Sequence, residues 1–286
     1  MLDSEKKRIQ KHFNLKAKSY EASAVLQQEV CNRLLEKLSW VKHAPEYILD
    51  AGSGTGWGTK GLMSTYSSAR VIAMDLSVSM LKQTRGKGGL FRKPSLLCAD
   101  AESIPLADDS VDLIFSSLML QWCDPEKVFK EFLRVLKPGG LLMFASFGPD
   151  TLKELRTSWS KVDQAVHVND FIDMHDLGDS LLATGFAEPV MDMDMMTLIY
   201  DDAITVMKDL QLIGANTPLK NNAKGLLTPG KLQRVINEYE AFRENESLPA
   251  TYEIIYGHAW KIEKKNNGHG DREIHLPVDS IKLMTR

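Results

Sequence analysis

The chain has 286 residues, 43% of them hydrophobic and 26% charged, with a net charge of −3. This make-up fits a globular protein with one large core and lacks the basic excess of a nucleic-acid binder. No stretch approaches the roughly 20 apolar residues that span a bilayer, and the opening MLDSEKKRIQKHF has no signal-type apolar run, so a cytoplasmic protein with no membrane association is expected.

The first elements expected are helices at Ser4–Lys18 and Ala24–Trp40, the second with Val30, Leu34, Leu35 and Leu38 on one apolar stripe. From about residue 45 to 148, short apolar runs alternate with helical patterns. Strands are expected at Tyr47–Ala51, Arg70–Leu76, Ser95–Ala99, Val111–Ser117 and Leu141–Phe147, with helices at Thr55–Tyr66, Val78–Lys87 and Pro125–Leu136 between them. Asp124 suits the N-cap of that third helix, and Pro138-Gly139-Gly140 would close it. Helical stretches at Thr151–Val162, His175–Thr184, Ala203–Ile213 and Pro229–Phe242 then surround a strand at Pro189–Tyr200, and a last strand follows at Ala250–Trp260. The pattern is that of an α/β protein with a doubly wound, mostly parallel seven-stranded sheet and a mainly helical cap inserted before the last strand. The expected division is 1–45 as an N-terminal helical lid, 46–149 as the cofactor-binding core, 150–248 as the cap, and 249–286 as the final strand and tail. The methionines of VMDMDMM alternate at strand period, which predicts one buried face and no metal site. The polar KKNNGHGD at Lys264–Asp271 reads as a turn or loop. Cys31, Cys98 and Cys123 show no ligand spacing, so three buried, reduced thiols and no metal are expected.

The segment Ile48–Gly58, ILDAGSGTGWG, has the strand, glycine turn and helix that bring backbone N–H groups to a ligand. Gly52, Gly54 and Gly56 give the spacing GxGxG, whereas a dinucleotide fingerprint needs glycine where Trp57 stands. Asp75 ends the second strand, where a carboxylate accepts from ribose hydroxyls, and Asp100 ends the third, within reach of an adenine amine. Each alone reads equally well as a helix cap. The series of such residues after successive strands points to a nucleotide.

DAGSGTG, MDLS, CADAESIPLADDSVDLIFSSL and RVLKPGG together resemble the successive motifs of class I S-adenosylmethionine methyltransferases. The resemblance implies S-adenosyl-L-methionine as cofactor. It places Asp50, Gly52 and Gly54 at the methionine end, Asp75 and Leu76 at the ribose, and Asp100 and Ala101 at the adenine. Ser117, ending the fourth strand, completes the implied set.

Residues 13–30, 117–125, 147–159, 167–186, 198–217, 227–234 and 251–260 resemble a narrower family, the malonyl-[acyl-carrier protein] O-methyltransferases of biotin synthesis. This resemblance implies methyl transfer to the free carboxylate of malonyl-acyl carrier protein. A carboxylate is ionised at neutral pH and needs no general base, so neutral groups that align it are sought. The candidates are Tyr20 in AKSY, Gln121 and Trp122 after the fourth strand, and His167 and Asn169 in HVNDF; Arg156 would neutralise an acidic substrate or sit in solvent. An acidic carrier calls for a basic face, offered by Lys6, Lys7, Arg8, Lys11, Lys16 and Lys18, or by Lys208, Lys220, Lys224, Lys231 and Arg234. Mitochondrial proteins that assist complex I assembly resemble the chain as well, so the alternatives are another substrate or an assembly role without methyl transfer.

Overall fold

The computed structural model describes residues 3–89, 92–212 and 228–262. Three helices come first: α1 (Asp3–Lys16), the single turn α2 (Tyr20–Ser23) and α3 (Val25–Ser39). In α3, Val30, Leu34 and Leu38 are wholly buried, as their stripe predicts. The chain then alternates β1 (Tyr47–Ala51), α4 (Trp57–Thr65), β2 (Arg70–Asp75), α5 (Val78–Thr84), β3 (Ser95–Cys98) and β4 (Val111–Ser117). A 3-10 turn at Leu120–Trp122 leads into α6 (Pro125–Val135) and β5 (Leu136–Phe147). The remainder is α7 (Lys153–Ser160), α8 (Met174–Thr184), β6 (Phe186–Tyr200), α9 (Ala203–Leu212), α10 (Pro229–Tyr239) and β7 (Leu248–Lys261).

The seven strands form one sheet in the order β3-β2-β1-β4-β5-β7-β6, with β1 to β5 parallel and β7 antiparallel to both neighbours. The strand order reverses between β1 and β4. In open α/β sheets that switch point opens a crevice at the carboxyl ends of the strands. One apolar cluster joins α3 and α4 to the sheet and to Leu155, Val206, Val235 and Tyr239 of the cap helices. The other sets Val128, Phe129 and Phe132 of α6 and Leu177 and Leu181 of α8 against the opposite face. Full burial of one such Phe contributes about 2–3 kcal/mol.

Several expectations are revised. Residues 150–248 are not all cap, because β6 pairs with β7 along its length and α8 packs between α6 and β6. Those two elements belong to the sheet layers, which leaves α7, α9 and α10 above them. Residues Leu248–Glu253 of β7 pair with Met195–Tyr200 of β6 beyond Phe147, the last residue of β5 in the ladder. At about 3.4 Å per residue this pair projects roughly 20 Å past the sheet and carries the cap. Pro138, Gly139 and Gly140 lie inside β5, which begins at Leu136 with a register shift against β4.

The methionine side of β6 is also not a buried face. Met193 and Met195 are 43% and 44% exposed, while Asp192 and Asp194 turn to α3 and pair with Lys37 and Arg33. Cys98 is exposed, contrary to the expectation of three buried thiols, because β3 is the sheet's edge strand; Cys31 is buried and Cys123 partly so. Lys220, Lys224, Ile213 and the loop at Lys264–Asp271 lie outside the described residues. Among the described residues no helix is long and apolar enough to cross a membrane.

Candidate active site

The cavity at the switch point is built on the glycine turn. Gly52 and Ser53 both donate N–H to the Met74 carbonyl at 2.9 Å, folding the turn against β2. Gly52 and Gly54 have φ of +77° and +55°, where side chains are strained. A Cβ on Gly52 would lie 2.5 Å from Met119 Cγ, whereas one on Gly54 would meet nothing within 4 Å. The turn therefore presents bare backbone to open space.

Asp75 fixes this turn from the neighbouring strand. Its two carboxylate oxygens accept N–H from Gly54 at 2.9 Å and from Ser77 at 2.7 Å, and the Thr84 hydroxyl donates to the Gly54 carbonyl at 2.8 Å. Burial pushes Asp75 up to about 6 against these two bonds. Asp50 lies beneath the turn and accepts from the Thr59 hydroxyl. Burial, with the Asp75 charge beside it, raises Asp50 to about 7. Two neighbouring carboxylates, one buried and one partly buried, are costly unless a ligand meets them. The site fits a ligand carrying hydroxyl donors and positive charge.

Helix α1 crosses the opening. Lys6 pairs with Asp100 and, at 2.7 Å, with Glu102. Gln10 donates to the Leu76 carbonyl at 2.8 Å, and Asn14 accepts from the Ser77 hydroxyl and the Ser79 N–H. Phe13 meets Trp122 edge-on at 5.4 Å and Tyr20 at 6.1 Å. On the opposite side Leu118, buried with φ +52°, turns the chain from β4 into the 3-10 turn that carries Gln121 and Trp122.

Asp50, Gly52, Gly54, Asp75, Leu76, Asp100, Ala101 and Ser117 all line this cavity, together with Tyr20 and Trp122. An adjoining cavity shares Tyr20, Gln27, Leu118 and Trp122 with the first and adds Gln121, Phe147, Asn169 and Phe171. The structure thus brings four of the five acceptor-site candidates together. His167 is the exception: its ring stacks on Trp159 at 3.5 Å and its Nε2 meets Asp163 at 2.7 Å. Despite desolvation, Lys231 at 3.0 Å and His167 hold the Asp163 carboxyl down at about 2. His167 therefore stands among the groups that tie its segment to α10. Arg156 donates through its two terminal nitrogens to the carbonyls of Pro149, Thr151 and Asn169, which turns them to backbone, while its Nε is buried without a partner.

Gln27 escaped the sequence reading. It sits three residues before Val30 and seven before Leu34, a polar residue on the apolar stripe of α3, and that mismatch was the available signal. Its Oε1 is buried without a hydrogen-bond partner where the two cavities join. Cys31 and Cys123 also line the first cavity, and burial pushes both thiols up, which keeps them protonated and weakly nucleophilic.

Residues 49–144 match the family model for a methyltransferase domain. The YcgJ protein of Bacillus subtilis is similar in structure, with a TM-score of 0.56 and 16% identity over 81% of this chain and 99% of that one. The [4+2]-cyclase SpnF is similar too, with a TM-score of 0.50 and 17% identity over 80% of this chain and 81% of that one. Likeness at this level shows the fold and leaves the chemistry open. Sequence relatives are far nearer. The malonyl-[acyl-carrier protein] O-methyltransferase of Gallionella capsiferriformans is 46% identical over 93% of this chain and 94% of its own length. That of Laribacter hongkongensis is 48% identical over 90% of each. On identity of this extent, reaching through both the cofactor half and the cap, the chain belongs to the malonyl-[acyl-carrier protein] O-methyltransferase family.

Proposed function

We propose that this protein is an S-adenosylmethionine-dependent O-methyltransferase that esterifies the free carboxylate of malonyl-acyl carrier protein, the starter step for pimelate and biotin synthesis. The observation that carries this reading is the pair of joined cavities. One is a crevice that holds the buried Asp50 and partly buried Asp75 carboxylates, and the other is walled by uncharged polar groups and aromatics at the point where the two meet. Asp75 would hold the ribose hydroxyls, Asp100 the adenine amine, and the glycine turn above Asp50 the methionine end. When bound, the cofactor supplies a methyl group made electrophilic by its sulfonium.

The remaining work is alignment. The malonyl carboxylate, with a pKa near ~4, is already ionised at neutral pH, so no residue must remove a proton. A tight ion pair to its attacking oxygen would weaken it as a nucleophile. In keeping with this, Tyr20, Gln27 and Asn169 line the acceptor cavity, while the terminal nitrogens of Arg156 donate to backbone carbonyls. Burial, with the Asp75 charge nearby, pushes the Tyr20 phenol well above its ordinary value. Tyr20 therefore acts as a donor and not as a base. Replacing Tyr20 with Phe is expected to lower turnover about tenfold and leave cofactor affinity within twofold; unchanged turnover would remove the hydroxyl from the alignment.

The carboxylate pair gives a pH dependence of definite sign. Asp50 and Asp75 titrate at about 7 and 6 in the fold and near ~4 in an unfolded chain. Their contribution to the stability of the ligand-free protein is full below pH ~4 and lost as pH rises through these folded values. The hydroxyls and positive charge of the cofactor favour the ionised forms. Cofactor affinity is therefore expected to rise roughly tenfold from pH 5.5 to 8 in calorimetric titrations. A flat profile would contradict this linkage.

The carrier itself needs a basic face. Glu5 of α1 lines a third cavity that adjoins the acceptor site, and Lys7 and Lys11 are exposed on the same helix. We favour α1 over the cap as the docking face on this ground. The deciding experiment follows labelled methyl from S-adenosylmethionine to malonyl-carrier, with a base-labile ester as product. No ester from folded protein that binds the cofactor would refute the reading. Charge reversal at Lys7 and Lys11 should raise KM for the carrier and leave malonyl-coenzyme A unaffected, and an equal effect on both would refute the docking face.

A further inference from the structure

The third cavity, of about 460 Å³, shares Gln121, Phe147, Asn169 and Phe171 with the acceptor cavity and, of its lining, Cys123 alone with the cofactor crevice. Its outer wall includes Val166 and Ile172, which are 42% and 38% exposed. The three spaces form a series from the cofactor crevice to the surface. Gln121 stands at the second junction.

The orientation of this glutamine is fixed by its own contacts. Its Nε2 donates to the Leu118 carbonyl at 2.6 Å, so the amide cannot be turned without opposing two carbonyl oxygens. Its Oε1 is left buried with no donor. A buried carbonyl without a partner is destabilising, and inside a binding cavity such an atom marks where a ligand donor goes. The malonyl unit of the substrate offers none: its carboxylate and thioester carbonyl only accept. The first N–H along the substrate is the amide of the pantetheine arm, six bonds from the carboxyl carbon. That amide would lie one cavity out from the transferred methyl.

We propose that the third cavity is the channel for the pantetheine arm and that Gln121 Oε1 accepts a hydrogen bond from the arm's thioester-proximal amide N–H. This assignment rests on the malonyl-carrier reading above. It makes Gln121 a specificity-determining residue that reads the arm, while Tyr20 and Gln27 face the reacting end. It also separates carrier or coenzyme A thioesters from free malonate, which has the carboxylate and lacks the amide.

The test uses the full-length enzyme and two malonyl-carriers, one with the native arm and one with the thioester-proximal N–H replaced by CH2. The native arm is expected to give a kcat/KM about tenfold higher, the effect of one buried hydrogen bond. In Gln121→Met the ratio should fall to about one through loss on the native arm alone, with S-adenosylmethionine affinity retained as the control for folding. Equal rates for both arms in the unmodified enzyme would overturn the proposal with no variant needed. A tenfold ratio persisting in Gln121→Met would overturn the assignment to Gln121. Methylation of neither carrier would instead refute the malonyl-carrier reading and take this inference with it.

Discussion

Replacing Asp75 with Asn is expected to weaken S-adenosylmethionine binding about 100-fold and to lower kcat/KM at limiting cofactor by a similar factor. The carboxylate accepts two backbone N–H groups and faces the cavity. Two further bonds from ribose hydroxyls to a charged acceptor contribute about 3 kcal/mol in total, which is a factor of about 100. An amide keeps one acceptor oxygen and turns an NH2 group toward a donor. The ligand-free variant should nevertheless stay folded with little change in Tm. Burial already raises Asp75 to about 6, so removing the charge offsets the loss of one N–H bond. Calorimetry with the cofactor and a thermal melt without it check both halves. Affinity within threefold of the parent would remove Asp75 from the ribose site.

Replacing Glu154 with Ala has its large effect on stability instead. Glu154, 5% exposed on α7, accepts the Thr251 hydroxyl and the Thr251 N–H, the latter at 3.1 Å. Around it the Thr151 hydroxyl donates to the Glu253 carbonyl and accepts the Glu253 N–H, Asp150 N–H reaches the Glu253 carboxylate at 2.7 Å, and Leu152 N–H reaches the Thr251 carbonyl at 2.6 Å. This seam stitches the start of the cap to the projecting end of β7. Truncation to Ala strands two buried donors at a cost of about 3 kcal/mol, or roughly 6–12 °C in Tm for a chain of this size. Glu154→Gln, which keeps one acceptor oxygen, should recover about half. Glu154 touches none of the cavities, so cofactor affinity at 20 °C is expected to be unchanged. Equal melting temperatures for parent and Ala variant would show the seam to be dispensable.

Much of this molecule is legible in its residues. Apolar runs bounded by Gly, Pro and Asp locate each of the seven strands, and in β1, β4, β5 and β7 burial on both faces leaves little alternative to such runs. That Asp50, Gly52, Gly54, Asp75 and Asp100 would line one crevice was equally visible, since turn geometry and strand ends fix their spacing locally. What failed depended on partners distant in sequence. Asp192 and Asp194 look like the solvent face of β6 until Lys37 and Arg33 of α3 are placed beside them. Cys98 reads as core until β3 proves to be an edge strand. Lys6 belongs to a run that resembles a docking face, yet its ammonium is turned inward to Asp100 and Glu102. His167 carries a residue type suited to catalysis, and its stacking on Trp159 could be seen only in three dimensions. Gln27 carried one local signal, a polar residue on the apolar stripe of α3, but the cavity it enters is formed only when Gln121 and Asn169 are brought beside it.

Leu118 has a consequence for how such a chain changes over time. A leucine with φ +52° carries about 1–2 kcal/mol of backbone strain that glycine would not. Its side chain nonetheless forms a wall common to the cofactor and acceptor cavities. Selection for a steadier fold alone would favour glycine at 118, and selection for a shaped acceptor site would keep leucine there. Drift at this position therefore exposes which pressure dominates, and a lineage that has lost its substrate should be released from the leucine first.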